Sequence, residues 1–322
     1  APIALLMPRR KDWIAVIGRN GGWFSDNTKY FFLQAQAVLP LGSQCVWVTE
    51  HRPVLSMLRA HKLPVLAYPS WKGAWFLLRA GSIVVDSFDW YLHMRRFFLC
   101  GAEKIQLWHG VGFKRIEADK AKNEASARGW ISKNLIANLR IIVRNVTGRN
   151  VRYSLVNTTS QFYLKEVFCS AFFSDHFSAF GYPRNDFAFL DNVILGADAR
   201  FMEMAQVWKN FGRRVVLITP TFRESRCSPM GLDANLCGVL DQWCEAHHAE
   251  LVFKFHPWER GQEDIHGQHL HLYDSMADLY PLMRFADAMV TDYSSIYMDF
   301  IILDKPVIFF AKDLDEYIRR DR

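Results

Sequence analysis

Short apolar runs rich in β-branched residues alternate with longer amphipathic segments along this chain, the pattern of parallel strands joined by crossover helices. In the first half the expected strands are Asp12 to Gly18, Gln44 to Thr49, Pro64 to Tyr68, Ser82 to Ser87 and Lys104 to Trp108, with helical stretches such as Asp26 to Leu39 between them. In the second half they are Arg214 to Thr219, Glu250 to Phe255, His269 to Tyr273, Ala288 to Thr291 and Pro306 to Phe310, separated by segments such as Leu232 to Ala246 and Ser295 to Leu303. The pattern predicts an α/β chain of two doubly wound units. Turn formers cluster at Gly181-Tyr182-Pro183-Arg184-Asn185-Asp186, which places the junction between a domain of residues 1–183 and one of 184–322.

Length agrees with this division, because 322 residues of which 50% are hydrophobic can bury two cores of ordinary size. A formal charge of +6 favours anionic partners such as nucleotides, phosphate polymers or acidic lipid without choosing among them. The six cysteines, at 45, 100, 169, 227, 237 and 244, form no C-x-x-C pair and suggest no zinc site or disulfide framework. Reduced, mostly buried thiols of a cytosolic compartment are expected. The sequence offers neither a signal peptide nor an apolar run near the roughly 20 residues of a spanning helix, so the chain is expected to touch a membrane without crossing it.

In doubly wound units ligands gather at strand C-termini and helix N-termini, and four such places carry candidate chemistry. Lys104-Ile105-Gln106-Leu107-Trp108-His109-Gly110 ends an apolar strand on a histidine suited to general-base work near neutral pH, or to a structural hydrogen bond. Gly110 and Gly112 permit close backbone approach to a ligand, and Lys114 and Arg115 add positive charge. Leu251-Val252-Phe253-Lys254-Phe255-His256-Pro257 repeats the arrangement in the second unit, with proline stopping the strand. Met289-Val290-Thr291-Asp292-Tyr293-Ser294-Ser295 ends on an aspartate and two serines. They open either a helix start that holds phosphate or an ordinary capped helix, with Asp299 one turn on, positioned for a sugar hydroxyl or for solvent. Leu217-Ile218-Thr219-Pro220-Thr221-Phe222-Arg223 supplies an arginine for phosphate oxygens, or a solvated one.

Together, Trp108-His109-Gly110, Gly181-Tyr182-Pro183-Arg184-Asn185-Asp186, Pro220-Thr221-Phe222-Arg223, Lys254-Phe255-His256-Pro257 and Thr291-Asp292-Tyr293-Ser294-Ser295, followed by Asp299-Phe300 and Asp304-Lys305-Pro306, resemble the CDP-glycerol glycerophosphotransferase family. That family comprises teichoic acid primases and polymerases and their capsule-synthesis relatives. Order and spacing match over about residues 104–318, and more loosely at Ser25-Asp26-Asn27-Thr28-Lys29-Tyr30. The resemblance implies a GT-B type fold, two Rossmann-like domains facing across a cleft, with CDP-glycerol on the carboxy-terminal domain. It also implies attack of an acceptor hydroxyl on the phosphorus that bears glycerol, with CMP leaving, in capsule or teichoic-type polymer assembly.

By similarity the catalytic residues are His109, as general base, and His256. Substrate binding falls to Gly110, Lys114, Arg184, Thr221, Arg223, Lys254, Asp292, Ser294, Ser295 and Asp299. No acidic cluster has metal-ligand spacing, so no essential protein-bound metal is expected, and any Mg2+ would arrive with the nucleotide. The expected partners are CDP-glycerol, a lipid-linked glycan or polymer acceptor and an anionic membrane surface, with no nucleic acid. Two departures stand out. Val111-Gly112 replaces the family's Thr-Pro beside the base, and the sequence ends at Arg322 where relatives continue for at least another helix.

The segment 125–165 holds no acidic residue but carries Arg128, Lys133, Arg140, Arg144, Arg149, Arg152 and Lys165 among apolar residues. It suits an amphipathic helix, either packed on its domain or lying peripherally on the inner face of the cell membrane, each basic residue adding on the order of 1 kcal/mol there. A CDP-ribitol-dependent transferase, a glycosyltransferase of the same fold using a nucleotide sugar, and a non-catalytic nucleotide-binding protein are the competing readings.

Overall fold

The computed structural model describes residues 4, 6–91, 93–110, 151–190, 195–221, 232–255, 265–315 and 317. The chain divides into two compact units, one of residues 1–109 and 115–184, the other of 110–114 and 185–322.

The first unit is built on a seven-stranded sheet in the order β3-β2-β1-β4-β5-β6-β7. Its strands are β1 (Arg10–Ile17), β2 (Gln44–Thr49), β3 (Val65–Ala67), β4 (Ala80–Val85), β5 (Glu103–Gln106), β6 (Arg152–Asn157) and β7 (Phe173–Ser178). Every neighbouring pair is parallel. Helices α1 (Asp26–Val38), α2 (Arg52–Ala60) and α3 (Trp71–Arg79) make the crossovers between the first four strands. Apolar runs fix the centre of the sheet: Val16, Val48, Ile83 and Val84 are fully buried, as residues covered on both faces must be. Trp47 packs edge-on against Phe24 and Phe32, at 4.8 and 5.5 Å between ring centroids, and locks α1 and the loop before it onto the sheet.

Strand order reverses between β1 and β4, so the crevice of this unit opens where the chain leaves β1, β4 and β5. The loop after β1 turns at Gly22, whose φ is +90° and where a Cβ would lie 2.4 Å from the Val48 carbonyl oxygen, so only glycine fits.

Two strands lie outside the sequence expectation. β6 and β7 carry polar and charged residues, and β7 sits at the sheet edge with Phe173, Asp175 and His176 exposed, so no apolar run marks it. The helix expected over 125–165 meets a correction at its end. Arg152 opens β6 and pairs with Asp175 of β7 at 2.5 Å, because parallel pairing with β5 and β7 claims residues 152–157. Residues 111–150 lie outside the described part.

The second unit holds a five-stranded parallel sheet, β10-β9-β8-β11-β12. The strands are β8 (Arg214–Thr219), β9 (Ala249–Phe253), β10 (Leu270–Leu272), β11 (Ala288–Thr291) and β12 (Val307–Phe309). Helix α4 (Ala199–Asn210) precedes β8 and α5 (Ala234–Ala246) precedes β9. Asp198 and Asp233 cap them, accepting from the Phe201 and Leu236 amides at 3.3 and 2.8 Å, each cap worth about 1 kcal/mol. Cys237 and Cys244 of α5 bury against Ile218, Leu251, Phe253 and Phe255. Burial pushes the Cys244 thiol up to about 11, so it behaves as a small apolar side chain.

Short helices α6 (Tyr280–Met283) and α7 (Tyr297–Phe300) flank β11, and a 3-10 turn, Ile301–Leu303, continues α7. The sequence places the start of this last helix at Ser295, two residues too early. Ser294 and Ser295 belong to the turn before it, and no side chain caps its first residues.

Candidate active site

The polar residues at the crevice of the first unit form one buried network around His109. The ring Nδ1 lies 2.9 Å from the Asp86 backbone oxygen. A carbonyl only accepts, so Nδ1 carries the hydrogen and the neutral ring keeps its lone pair on Nε2. Burial, then the charge of Arg19, holds the imidazole below its usual 6.5, against the smaller pull of Asp26. A neutral ring with a free acceptor nitrogen is the form a general base requires.

The backbone that carries this ring bends sharply. Trp108 takes a left-handed conformation, φ 55°, and so does Asp26 at the start of α1, φ 61°. Such a conformation costs of the order of 1–3 kcal/mol for a bulky residue and persists only when surroundings fix it. Here they do. The Trp108 amide donates to Gln106 Oε1 at 2.9 Å, and its carbonyl accepts from Asn27 Nδ2 at 2.8 Å. The indole is buried edge-on against Phe172 at 5.0 Å.

Asn27 also accepts the Arg184 amide on Oδ1 at 3.2 Å. Arg184 Nη1 donates to Asp26 Oδ1 at 2.6 Å and to the His109 carbonyl at 2.7 Å. Arg19 approaches the other Asp26 oxygen at 3.7 Å. Burial opposes the charge on Asp26, but these two guanidiniums outweigh it and keep the carboxyl below its ordinary range. Asp86, directly after β4, has the opposite fate: burial and the neighbouring Asp26 charge push its carboxyl up to about 7. Thr28 donates to its Oδ2 at 2.9 Å.

The loosely matched Asp26-Asn27-Thr28 stretch is thus a working part of the site. Asp86 and Gln106 belong to this network without being singled out by the sequence motifs, although a polar residue at the end of an apolar strand is a usable signal. Arg184, expected to bind substrate, is 3% exposed and bonded to Asp26 and to the His109 carbonyl. Gly110 is half-buried directly after His109. Lys114 lies outside the described residues.

In the second unit the ends of β8 and β11 are tied together. Asp292 Oδ1 accepts the Thr221 amide at 2.8 Å, the Thr221 hydroxyl at 2.6 Å and the Tyr293 amide at 2.6 Å. Thr291 donates to the Thr219 carbonyl at 2.7 Å. Ser294 and Ser295 are half-buried beside this tie.

Lys254, expected at the ligand, donates to the carbonyls of Asp274, Ser275 and Ala277 at 2.9, 2.5 and 3.1 Å, so its ammonium shapes the loop after β10. Asp299 is not solvated: it is 2% exposed and accepts the Tyr280 hydroxyl at 2.8 Å. Arg223 and His256 lie outside the described residues.

No described helix is long and apolar enough to cross a membrane. Comparison with known proteins adds the following. The chain is 24% identical over 251 residues to the teichoic acid ribitol-phosphate polymerase TarK of Staphylococcus aureus, covering 76% of this chain and 45% of that protein. It is 25% identical to the teichoic acid glycerol-phosphate transferase of the same organism, over 92% of this chain and 73% of that one. The chain spans less than half the length of the first curated relatives it matches. A solved structure of the wall teichoic acid polymerase TagF soaked with CDPG superposes with a TM-score of 0.64 at 20% identity, over 96% of this chain and 72% of that one. That likeness carries the fold, two Rossmann-like units of the GT-B type. The model of the CDP-Glycerol:Poly(glycerophosphate) glycerophosphotransferase family matches residues 1–322, and the chain belongs to that family.

Proposed function

We propose that this chain transfers glycerol phosphate from CDP-glycerol to a hydroxyl of a membrane-linked glycan or polyol-phosphate acceptor, in teichoic- or capsule-type polymer assembly. The observation that carries the reading is His109, with Nδ1 bound to the Asp86 carbonyl and Nε2 left as acceptor, in a chain matched by the family over its whole length. His109 Nε2 takes the proton of the acceptor hydroxyl as that oxygen attacks the phosphorus bearing glycerol. The bond from this phosphorus to the bridging oxygen breaks, and CMP leaves with that oxygen and its charge. Charge on the diphosphate is met, by family resemblance, by Arg223, His256 and the Ser294-Ser295 turn.

The same chemistry serves CDP-ribitol, and the likeness to TarK favours keeping that donor in view. Work on a lipid-linked acceptor places the protein peripherally on the inner membrane face, a setting that the basic composition suits. The test is CMP release on incubation with CDP-glycerol, CDP-ribitol and UDP-sugars beside short lipid-linked acceptors. Release from a CDP-alditol supports the reading, and release from a UDP-sugar alone rejects it.

A further inference from the structure

The residues around His109 divide into one that can do chemistry and several that hold it. Among the holders, Arg184 has a distinctive position: it is the last residue of the first unit, and it donates to Asn27, to Asp26 and to the His109 carbonyl itself. Its guanidinium is 3% exposed, with protein oxygens of Asp26 and His109 on one nitrogen. A phosphate-binding arginine needs its fork turned to solvent or ligand. This one is turned into the protein.

We propose that Asp26 and Arg184 form a positioning pair for His109: Arg184 pins the His109 carbonyl, Asp26 pins Arg184, and the base is thereby held in the one orientation that keeps its Nδ1 on the Asp86 carbonyl. The inference rests on the reading of His109 as the base. The need for such a pair is visible in the backbone. His109 follows a left-handed tryptophan, and the Asp26 that anchors the pair is itself left-handed. A turn of that kind reorients its side chain unless its carbonyls are tied, and here both are, Trp108 by Asn27 and His109 by Arg184. Among the described residues, the charged groups that face the ring are Arg19, Asp26 and Arg184, with Asp86 reaching it through its carbonyl. Among them Asp26 pulls the imidazole pKa up while Arg19 and Arg184 push it down, so the two members of the pair act on the ring with opposite sign.

The opposition supplies a test that a purely structural role would not satisfy. Titrate the His109 ring by nitrogen-15 NMR in the full chain, identifying its signals by their loss in His109→Ala, and compare Asp26→Asn, Arg184→Gln and the double variant. The midpoint is expected to fall in Asp26→Asn, rise in Arg184→Gln and lie between those two in the double variant. The Nδ1-protonated tautomer should dominate in wild type and give way to a mixture in Arg184→Gln. In turnover with CDP-glycerol, Arg184→Gln should lower kcat on the order of 100-fold with little change in KM, as expected for a misplaced base. Arg184→Lys, which keeps the charge and the reach to one partner, should recover part of that loss, and it provides the same readouts should Arg184→Gln fold poorly.

Midpoints that stay put or move together would overturn the pair, as would a raised KM with kcat intact. If wild type releases no CMP from any CDP-alditol while the midpoints still move in opposite directions, the reaction assignment fails and the positioning pair stands.

Discussion

Asp86 and His109 are joined at 2.9 Å through the Asp86 backbone carbonyl and the His109 Nδ1, while the Asp86 side chain turns to Thr28. One residue therefore fixes the tautomer of His109 with its main chain and leaves a second titrating group beside it with its side chain. The two halves can be separated by substitution.

Replacing the carboxyl while keeping the carbonyl tests the side chain alone. The Asp86 carboxyl is raised from 3.8 to about 7 in the folded chain, so folding disfavours its ionised form. The unfolded chain gives up this proton from about pH 4 while the folded chain retains it, and wild-type stability falls as pH rises from there toward 7. Asp86→Asn should gain on the order of 1–3 kcal/mol above pH 7, shrinking to nothing below pH 4. Denaturant unfolding across that range measures it, and an Asn variant less stable than wild type at pH 8 would contradict the burial argument.

The base role proposed for His109 has its own pH signature. The imidazole pKa lies below 6.5, and only the neutral ring accepts a proton, so kcat/KM should be flat through neutrality and decline only as pH falls below that value. A decline that begins above pH 7 would point to a different group.

In the second unit, Asp292 Oδ1 collects three donors from the loops after β8 and β11. Asp292→Ala should cost about 2–4 kcal/mol, since it leaves buried donors without their acceptor. Hydrogen exchange should speed up at the Thr221 and Tyr293 amides ahead of the rest of the sheet. Uniform exchange would show that the tie is not local.

Near the start of β9, Glu250 is 3% exposed and pairs with Arg213, with His269 Nδ1 at 3.1 Å and with His271 Nε2 at 2.5 Å. Burial works against its charge, but the two histidine hydrogen bonds and the Arg213 charge prevail and hold its carboxyl below 4.5. A depressed carboxyl stabilises the fold above its unfolded pKa and stops doing so as pH falls through the folded one. Glu250→Gln should therefore lower the melting temperature at pH 7 and approach wild type as pH falls from 4.5 through the depressed folded-state pKa. A difference independent of pH would assign the loss to packing.

Much of this architecture was legible along the chain because buried parallel strands are written as unbroken apolar runs. β1, β2, β4, β8, β9 and β11 stand out in that way, and His109 stands out as the polar residue that ends one of them. β7 does not, because an edge strand keeps one side wet and its sequence, Phe173 to Ser178, alternates with charge. The donors and acceptors around His109 were hidden for a different reason. Asp86, Asn27 and Arg184 lie 23, 82 and 75 positions from His109 in the chain, and only the crossovers of the fold bring them together. Lys254 and Asp299 show the reverse: each looked like a ligand contact, and each is engaged by its own unit, Lys254 by three carbonyls and Asp299 by Tyr280.

The central claim is that His109 removes the acceptor proton in a transfer from CDP-glycerol. The most direct measurement is the rate of CMP release from CDP-glycerol, in the presence of acceptor, by wild type and by His109→Ala at pH 7.5. The account predicts a loss of roughly 100- to 10,000-fold on removal of the ring. Release by His109→Ala at the wild-type rate would contradict it.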